Sequence, residues 1–199
     1  GLGIHSIDWE DEGYNGFAIS GLNAGTYAYT VEDGVGCFVT DSAEVNEPSA
    51  VLAESNTSDY NGFGVSCDDG SDGWINIIST GGTGSHDYLW DYEGTAINED
   101  SSFITNLIEG TYNLVITDSN NCEYFSSIDL DAPPKIRVSF EASNQVCSTP
   151  GTILSVVTGG YGTYNLNWSN DISGPELVDL DEGVYYVTVT DGNNCSIVD

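Results

Sequence analysis

One tract occurs three times, and its repetition constrains the fold more than any other feature of the chain. Residues 25–37 read GTYAYTVEDGVGC, residues 110–122 read GTYNLVITDSNNC, and residues 183–195 read GVYYVTVTDGNNC. In every copy the cysteine lies 12 residues after the leading glycine and the aspartate eight after it. Alternation of Tyr112, Leu114 and Ile116 with Asn113, Val115 and Thr117 is the period of a strand with one buried face. That face predicts Tyr112, Leu114 and Ile116 in a core, with Tyr27, Tyr29 and Val31, and Tyr185, Val187 and Val189, as counterparts. Asp33, Asp118 and Asp191 stand where the strand enters a turn, so each is expected to cap the turn's backbone N–H groups.

Repetition organises the rest of the chain as well. A tryptophan (Trp9, Trp90, Trp168) precedes each glycine by 15 to 20 residues. Farther upstream, Gly81-Gly82 matches Gly159-Gly160, and Cys67 matches Cys147. The proline-bearing tracts NEPSA (46–50) and DAPP (131–134) fall between units as short stiff linkers. Expected boundaries are a partial unit over 1–47, a complete unit over 48–133, and a unit over 134–199 lacking its tail. The chain reads as a window cut from a longer protein. Unit two carries about a dozen extra residues, mostly before Cys67 and after Trp90, and these are expected in loops.

Five cysteines fit this division if Cys67 pairs with Cys122 and Cys147 with Cys195, each bond closing one unit, while Cys37 pairs outside the segment. Disulfides place the protein in an oxidising, extracellular compartment. Zinc is disfavoured, since nothing resembles CxxC and His5 and His86 sit in unrelated company. Short strands, no helix signals and a tryptophan between two cysteines predict an all-β fold of tandem immunoglobulin-like sandwiches, one disulfide inside each. Trp9, Trp90 and Trp168 are then core residues against those disulfides. Trp74, found in one unit only, is expected to pack, with ligand contact as the alternative.

Charge narrows the partners. Two basic residues, Lys135 and Arg137, face 32 acidic ones, for a formal −30. Such a field repels nucleic acid and anionic lipid, and it strains the fold unless cations or salt screen it. No apolar run approaches the ~20 residues of a membrane helix.

The order SCDDGSDGWINI, GGTG, YLW, NLIEGTYNLVITDSNNCEY and APP resembles the SprB repeat of Bacteroidota surface proteins, and the GTY…TD strand is also similar to PKD domains. The third unit departs from the pattern with CSTPGT, and Asn121 and Asn194 replace the usual glycine before the last cysteine. The resemblance implies stalk repeats of a long secreted adhesin of the gliding-motility type, exported by type IX secretion and held at the outer-membrane surface. Its implied partners are neighbouring repeats of the same chain and a surface polysaccharide or other adhesion substrate. Accessory Ig-like or carbohydrate-binding modules of a secreted hydrolase are the alternative.

Candidate sites are few. Asp68, Asp69 and Asp72 on a Gly-rich turn, and Asp129 and Asp131 near a junction, are candidate calcium ligands, with solvated turn acids as the plain alternative. Glu44 and Glu47 stand near the other junction. Asp41-Ser42-Ala43 resembles the tract at which Bacteroidota attach O-glycans, which makes Ser42 a candidate glycosylation site. His86 aligns with His5 and with Tyr164, and a position that accepts tyrosine is not that of a catalytic base. No serine stands in a nucleophile elbow and no phosphate loop occurs, so no enzymatic activity and no required cofactor are expected.

Overall fold

Strand-forming tracts separated by glycine, asparagine and aspartate give strands alone. The computed structural model describes residues 3, 6–10, 16–143 and 150–199, and these form sixteen strands. The chain divides into two compact units, Gly1–Ala50 and Val51–Asp199. Among the described residues, no helix is long and apolar enough to cross a membrane.

In the first unit β1 (Ser6–Trp9), β2 (Gly25–Glu32) and β3 (Phe38–Val45) form one antiparallel sheet in the order β1-β2-β3. Trp9 lies opposite Tyr29 on the neighbouring strand, and their rings are 5.1 Å apart. Tyr27, Tyr29 and Val31 are half-buried.

The second unit contains two sandwiches. The first is built from β4 (Leu52–Thr57), β5 (Gly73–Thr80), β6 (Asp87–Tyr92), β7 (Thr95–Ala96), β8 (Phe103–Leu107), β9 (Gly110–Thr117) and β10 (Glu123–Leu130). One sheet runs β4-β5-β8 and the other β10-β9-β6-β7. Lettered in chain order, these are A-B-E and G-F-C-C′, the two-sheet Greek-key order of an immunoglobulin-like sandwich. The second sandwich repeats it with β11 (Arg137–Ser143), β12 (Gly151–Thr158), β13 (Asn165–Trp168), β14 (Glu176–Leu180), β15 (Val187–Thr190) and β16 (Ser196–Val198). Its sheets are β11-β12-β14 and β13-β15-β16.

Each sandwich has its own core. Trp90, Ile75, Ile104, Leu114 and Ile116 centre the first, with no more than 1% of their surface exposed. Trp168, Leu177, Val187 and Val189 centre the second. The alternation expected of the repeated strand is present: Tyr112, Leu114 and Ile116 are buried, as are Val187 and Val189. Burial of these side chains is the main favourable term for such small sandwiches.

Tyrosine in the Gly-x-Tyr signature has a second task. The hydroxyls of Tyr27, Tyr112 and Tyr185 donate to the carbonyls of Asn23, Ile108 and Asp181 respectively, at 2.9, 3.1 and 3.0 Å. Each partner lies four residues upstream, the arrangement of the tyrosine corner that ties the E–F crossover of such sandwiches to strand F. Each tryptophan also donates its indole N–H to a carbonyl: Trp9 to Gly16, Trp90 to Ser101 and Trp168 to Gly174.

The disulfide pattern differs from the sequence expectation. Cys67 is bonded to Cys195, with Cα atoms 5.6 Å apart, and Cys122 is a free, exposed thiol. The pairing of Cys67 with Cys122 is therefore corrected, and so is that of Cys147 with Cys195, whose sulfur is already taken; Cys147 and His5 themselves lie outside the described residues. Strand length explains the correction. Cys122 sits between β9 and β10, whereas the loop bearing Cys67 packs where β9 begins and β10 ends. There the Gly64 and Val65 N–H groups donate to the Asp131 carbonyl, and Leu130 lies opposite Gly110. Eight residues of strand at about 3.4 Å each put the two cysteines at opposite ends of one sandwich, far beyond the Cα separation a disulfide spans. The bond consequently joins two modules instead of closing one. The core around Trp90 contains no cysteine, so that tryptophan packs without the disulfide expected beside it.

Candidate functional site

Two structures merit attention as sites: the repeated aspartate turn, and the junction between the two sandwiches.

The turn is built the same way three times. One carboxylate oxygen accepts two N–H groups: those of Val35 and Cys37 at Asp33, Asn120 and Cys122 at Asp118, and Asn193 and Cys195 at Asp191, all at 2.8–3.0 Å. The backbone pairs as well, with Asp118 N–H donating to the Cys122 carbonyl and Asn121 N–H to the Asp118 carbonyl. The residue before the cysteine takes a left-handed conformation: φ is 87° at Gly36, 63° at Asn121 and 65° at Asn194. Asparagine tolerates that region better than other side-chain-bearing residues, which accounts for Gly and Asn alternating there. The three aspartates are thus turn caps.

The other carboxylate oxygen reaches across to the loop between β5 and β6, or between β12 and β13. Asp118 accepts the Thr83 N–H, and Asp191 the Tyr161 N–H, both at 2.8 Å. This approach explains the paired glycines. A Cβ on Gly160 would stand 2.6 Å from the Asp191 carboxylate and 2.9 Å from Ile136, at a φ of +65°. Left-handed strain and overpacking together set the expected cost of Gly160→Ala at about 2–5 kcal/mol. Gly183→Ala, whose new methyl meets Tyr185 no nearer than 3.6 Å, is expected to change the urea midpoint little. Equal midpoint shifts for the two variants would contradict this account.

The imidazole of His86 belongs to the same construction. Its Nε2 lies 3.2 Å from the Gly81 carbonyl, and its Nδ1 lies 2.6 Å from the Ser79 hydroxyl, which also meets the Tyr88 hydroxyl. Tyr164 makes the equivalent bond to the Gly159 carbonyl. Histidine and tyrosine share this position because both reach the first carbonyl of the glycine pair.

Asp118 is buried, and its carboxyl is held below the usual carboxylate range. The Cys122 N–H contributes most, desolvation opposes it, and the Thr83 and Asn120 N–H groups add to the lowering. A depressed folded-state pKa stabilises the fold above the unfolded value of about 3.9, and that stability is lost as pH falls through the folded value. The stability gap between wild type and Asp118→Asn is therefore expected to be full at pH 7 and to narrow below about pH 4. Urea unfolding at pH 7 and pH 3 measures it. Comparing variants cancels the general relief of repulsion as the other acids protonate. A gap of the same size at both pH values would contradict the cap's ionised role.

The junction is formed by the loop Ser58–Asp72, where much of the extra sequence of unit two resides. It is ordered from within. The Ser58 hydroxyl donates to the Gly64 carbonyl, the Gly62 N–H donates to the Asp59 carboxylate, and the Ser66 N–H donates to the Asp72 carboxylate at 3.0 Å. Burial works to raise the Asp72 carboxyl, but the hydrogen bonds from Ser66 outweigh it and hold it below the usual range. Against this loop sits the turn of the second sandwich. The Asn193 amide donates to the carbonyls of Tyr60 and Ser66 and accepts from Asn61 at 2.6 Å. Phe63 meets the Tyr161 ring edge-on, 6.2 Å between centroids. Lys135, one of two basic residues in the chain, lies 3.4 Å from the Asp68 carboxylate. Cys67–Cys195 closes the contact. The sequence marked this loop by its extra length before Cys67 and by Asp68, Asp69 and Asp72, but it singled out neither Asn193 nor a contact between modules.

The other candidate residues are dispersed. Asp68 pairs with Lys135, Asp72 caps its own loop, and Asp129 accepts the Thr111 hydroxyl at 2.6 Å. The Asp131 carbonyl takes two N–H groups of the loop. Among the described residues, no three His, Cys, Asp or Glu side chains converge as metal ligands. Ser42 lies exposed on β3, its N–H bonded to the Asp41 carboxylate at 2.8 Å. Trp74 is half-buried against Phe103, with ring centroids 6.0 Å apart.

No family model matches the chain, and no curated protein matches it. Among solved structures, it is similar to the three N-terminal domains of the highly immunogenic outer capsid protein (Hoc) of bacteriophage RB49. That match has 12% identity, covers 98% of this chain and 84% of that one, and has a TM-score of 0.49. A structure explaining Dscam isoform specificity matches at 12% identity over 87% of this chain and 52% of that one, with a TM-score of 0.32. The fold assignment rests on strand order and the tyrosine corners and needs neither likeness. By those criteria the chain is an all-β tandem of immunoglobulin-like modules, two of them covalently joined.

Proposed function

We propose that these modules form part of the stalk of a secreted bacterial cell-surface adhesin of the gliding-motility type. The observation that carries this reading is the use made of the repeated residues. Aspartate, tyrosine, tryptophan and paired glycines are all consumed in holding turns, crossovers and cores, and two modules share a disulfide across their junction. A chain that repeats its scaffold and staples one unit to another is built for length and stiffness. The formal charge of −30 keeps such a surface apart from other acidic surfaces and soluble in a saline exterior.

Antibodies against the purified chain test the proposal on living cells. They are expected to label unpermeabilised cells and to reduce attachment to a surface. Labelling only after lysis would overturn it.

A further inference from the structure

The tetrapeptide Tyr-Asn-Gly-Phe occurs at 14–17 and again at 60–63, and these hold the two Asn-Gly pairs of the chain. Asparagine before glycine readily loses its amide nitrogen, because a backbone nitrogen with no Cβ beside it approaches the side-chain carbonyl unhindered. Asn61 and Gly62 are both exposed, on the loop that forms the junction, yet both reacting groups are tied down. The Asn61 amide nitrogen, which is the leaving group, donates to the Asn193 side-chain oxygen at 2.6 Å. The Gly62 N–H, which supplies the nucleophile, donates to the Asp59 carboxylate at 2.6 Å. A negative charge beside that nitrogen opposes the deprotonation that attack requires. Asn193 in turn has no freedom in what it accepts. Its NH2 group is committed to the Tyr60 and Ser66 carbonyls, so its oxygen faces Asn61 and needs an N–H there.

We infer that Asn61 is a site of spontaneous deamidation that the docked junction restrains, and that its product disfavours re-docking. The Gly62 nitrogen gives its proton to hydroxide and attacks Asn61 Cγ. An N–Cγ bond forms, the Cγ–Nδ2 bond breaks, and the departing nitrogen takes a proton from water and leaves as ammonia. Water then opens the cyclic imide. Addition at Cγ leaves an aspartate, and addition at the main-chain carbonyl leaves an isoaspartate, whose backbone is one atom longer. Overall one water is consumed and one ammonia released, with no oxidant or reductant. Either product sets a carboxylate where Asn193 needs a donor, close to Asp59 and in a chain of formal charge −30. Turning the Asn193 amide toward that carboxylate forfeits its bonds to Tyr60 and Ser66. Cys67–Cys195 holds the contact closed. Breaking that disulfide frees Asn61, and deamidation then makes the opening hard to reverse.

The inference does not depend on where the chain is displayed, and a failed cell-labelling experiment would leave it standing. Its test incubates the full chain in mildly alkaline buffer, either oxidised, reduced, oxidised with Asn193→Ala, or unfolded in urea and reductant. Peptide mass spectrometry reads the fraction in which water has replaced ammonia. In urea Asn15 and Asn61 are expected to react equally, since their tetrapeptides match. In the oxidised native chain Asn61 is expected to react at least about ten-fold more slowly than in urea, because two hydrogen bonds must break first. Reduction, or Asn193→Ala, is expected to raise the native rate about two- to ten-fold, the worth of the one bond each removes. The product is tested by Asn61→Asp, which is expected to speed reduction of Cys67–Cys195 by dithiothreitol about five-fold or more. A native rate equal to that in urea, a rate indifferent to both reduction and Asn193→Ala, or unchanged disulfide reduction in Asn61→Asp would each overturn the inference.

Discussion

Pulled from its ends, the reduced chain is expected to release roughly 420–460 Å more contour length than the oxidised chain. That is the extended length of the 128 residues between Cys67 and Cys195. Nearly all of both cores lies inside this covalent loop, so in the oxidised state neither sandwich can extend beyond detachment of β4 and the residues before Cys67, and of β16 after Cys195. The alternative pairing gives a different record. Bonds from Cys67 to Cys122 and from Cys147 to Cys195 would hide two separate stretches, worth about 190 and 165 Å. Single-molecule extension with and without reductant separates the cases. Two small steps, or no change on reduction, would disprove the junction disulfide. If the expected record is found, a mechanical load passes from one module to the next through sulfur and the sandwiches are shielded from it.

The sequence made the strand legible and left its ends unread. Alternation in GTYNLVITD placed Tyr112, Leu114 and Ile116 in the core because a two-residue period is local physics. The cap was legible for the same reason, since aspartate before a tight turn has its acceptors within reach of the next few N–H groups. The disulfides were misread because a repeated order of cysteines suggests closure of each repeat. That order ignores where each cysteine lies along the sandwich. An eight-residue strand between Gly110 and Thr117 already separates the two ends, and counting its rise excludes the bond. The junction was illegible for a different reason. Asn193 is one polar residue in a turn full of them, and its meaning comes from carbonyls that lie more than 120 residues away.

Tryptophan shows how one repeated residue comes to carry unequal weight. Trp90 has none of its surface exposed and donates its indole N–H to the Ser101 carbonyl at 2.9 Å. Replacing it by alanine removes a large apolar area and leaves a cavity, at an expected cost of about 3–5 kcal/mol. Against the total stability of a small domain, roughly 5–15 kcal/mol, that loss threatens the whole sandwich. Trp9 occupies the matching strand, pairs with Tyr29 and bonds Gly16, yet it is half-buried. Trp9→Ala is therefore expected to cost on the order of 1–2 kcal/mol. One midpoint cannot report both, because the chain holds separate compact units and need not unfold in one step. Hydrogen exchange resolves them. Trp90→Ala should strip protection from the β9 amides and spare those of β2, and Trp9→Ala should lower protection at β2 by a smaller factor. Equal losses at the two strands would mean that the sequence repeat, and not the burial each copy achieves, decides what the tryptophan contributes.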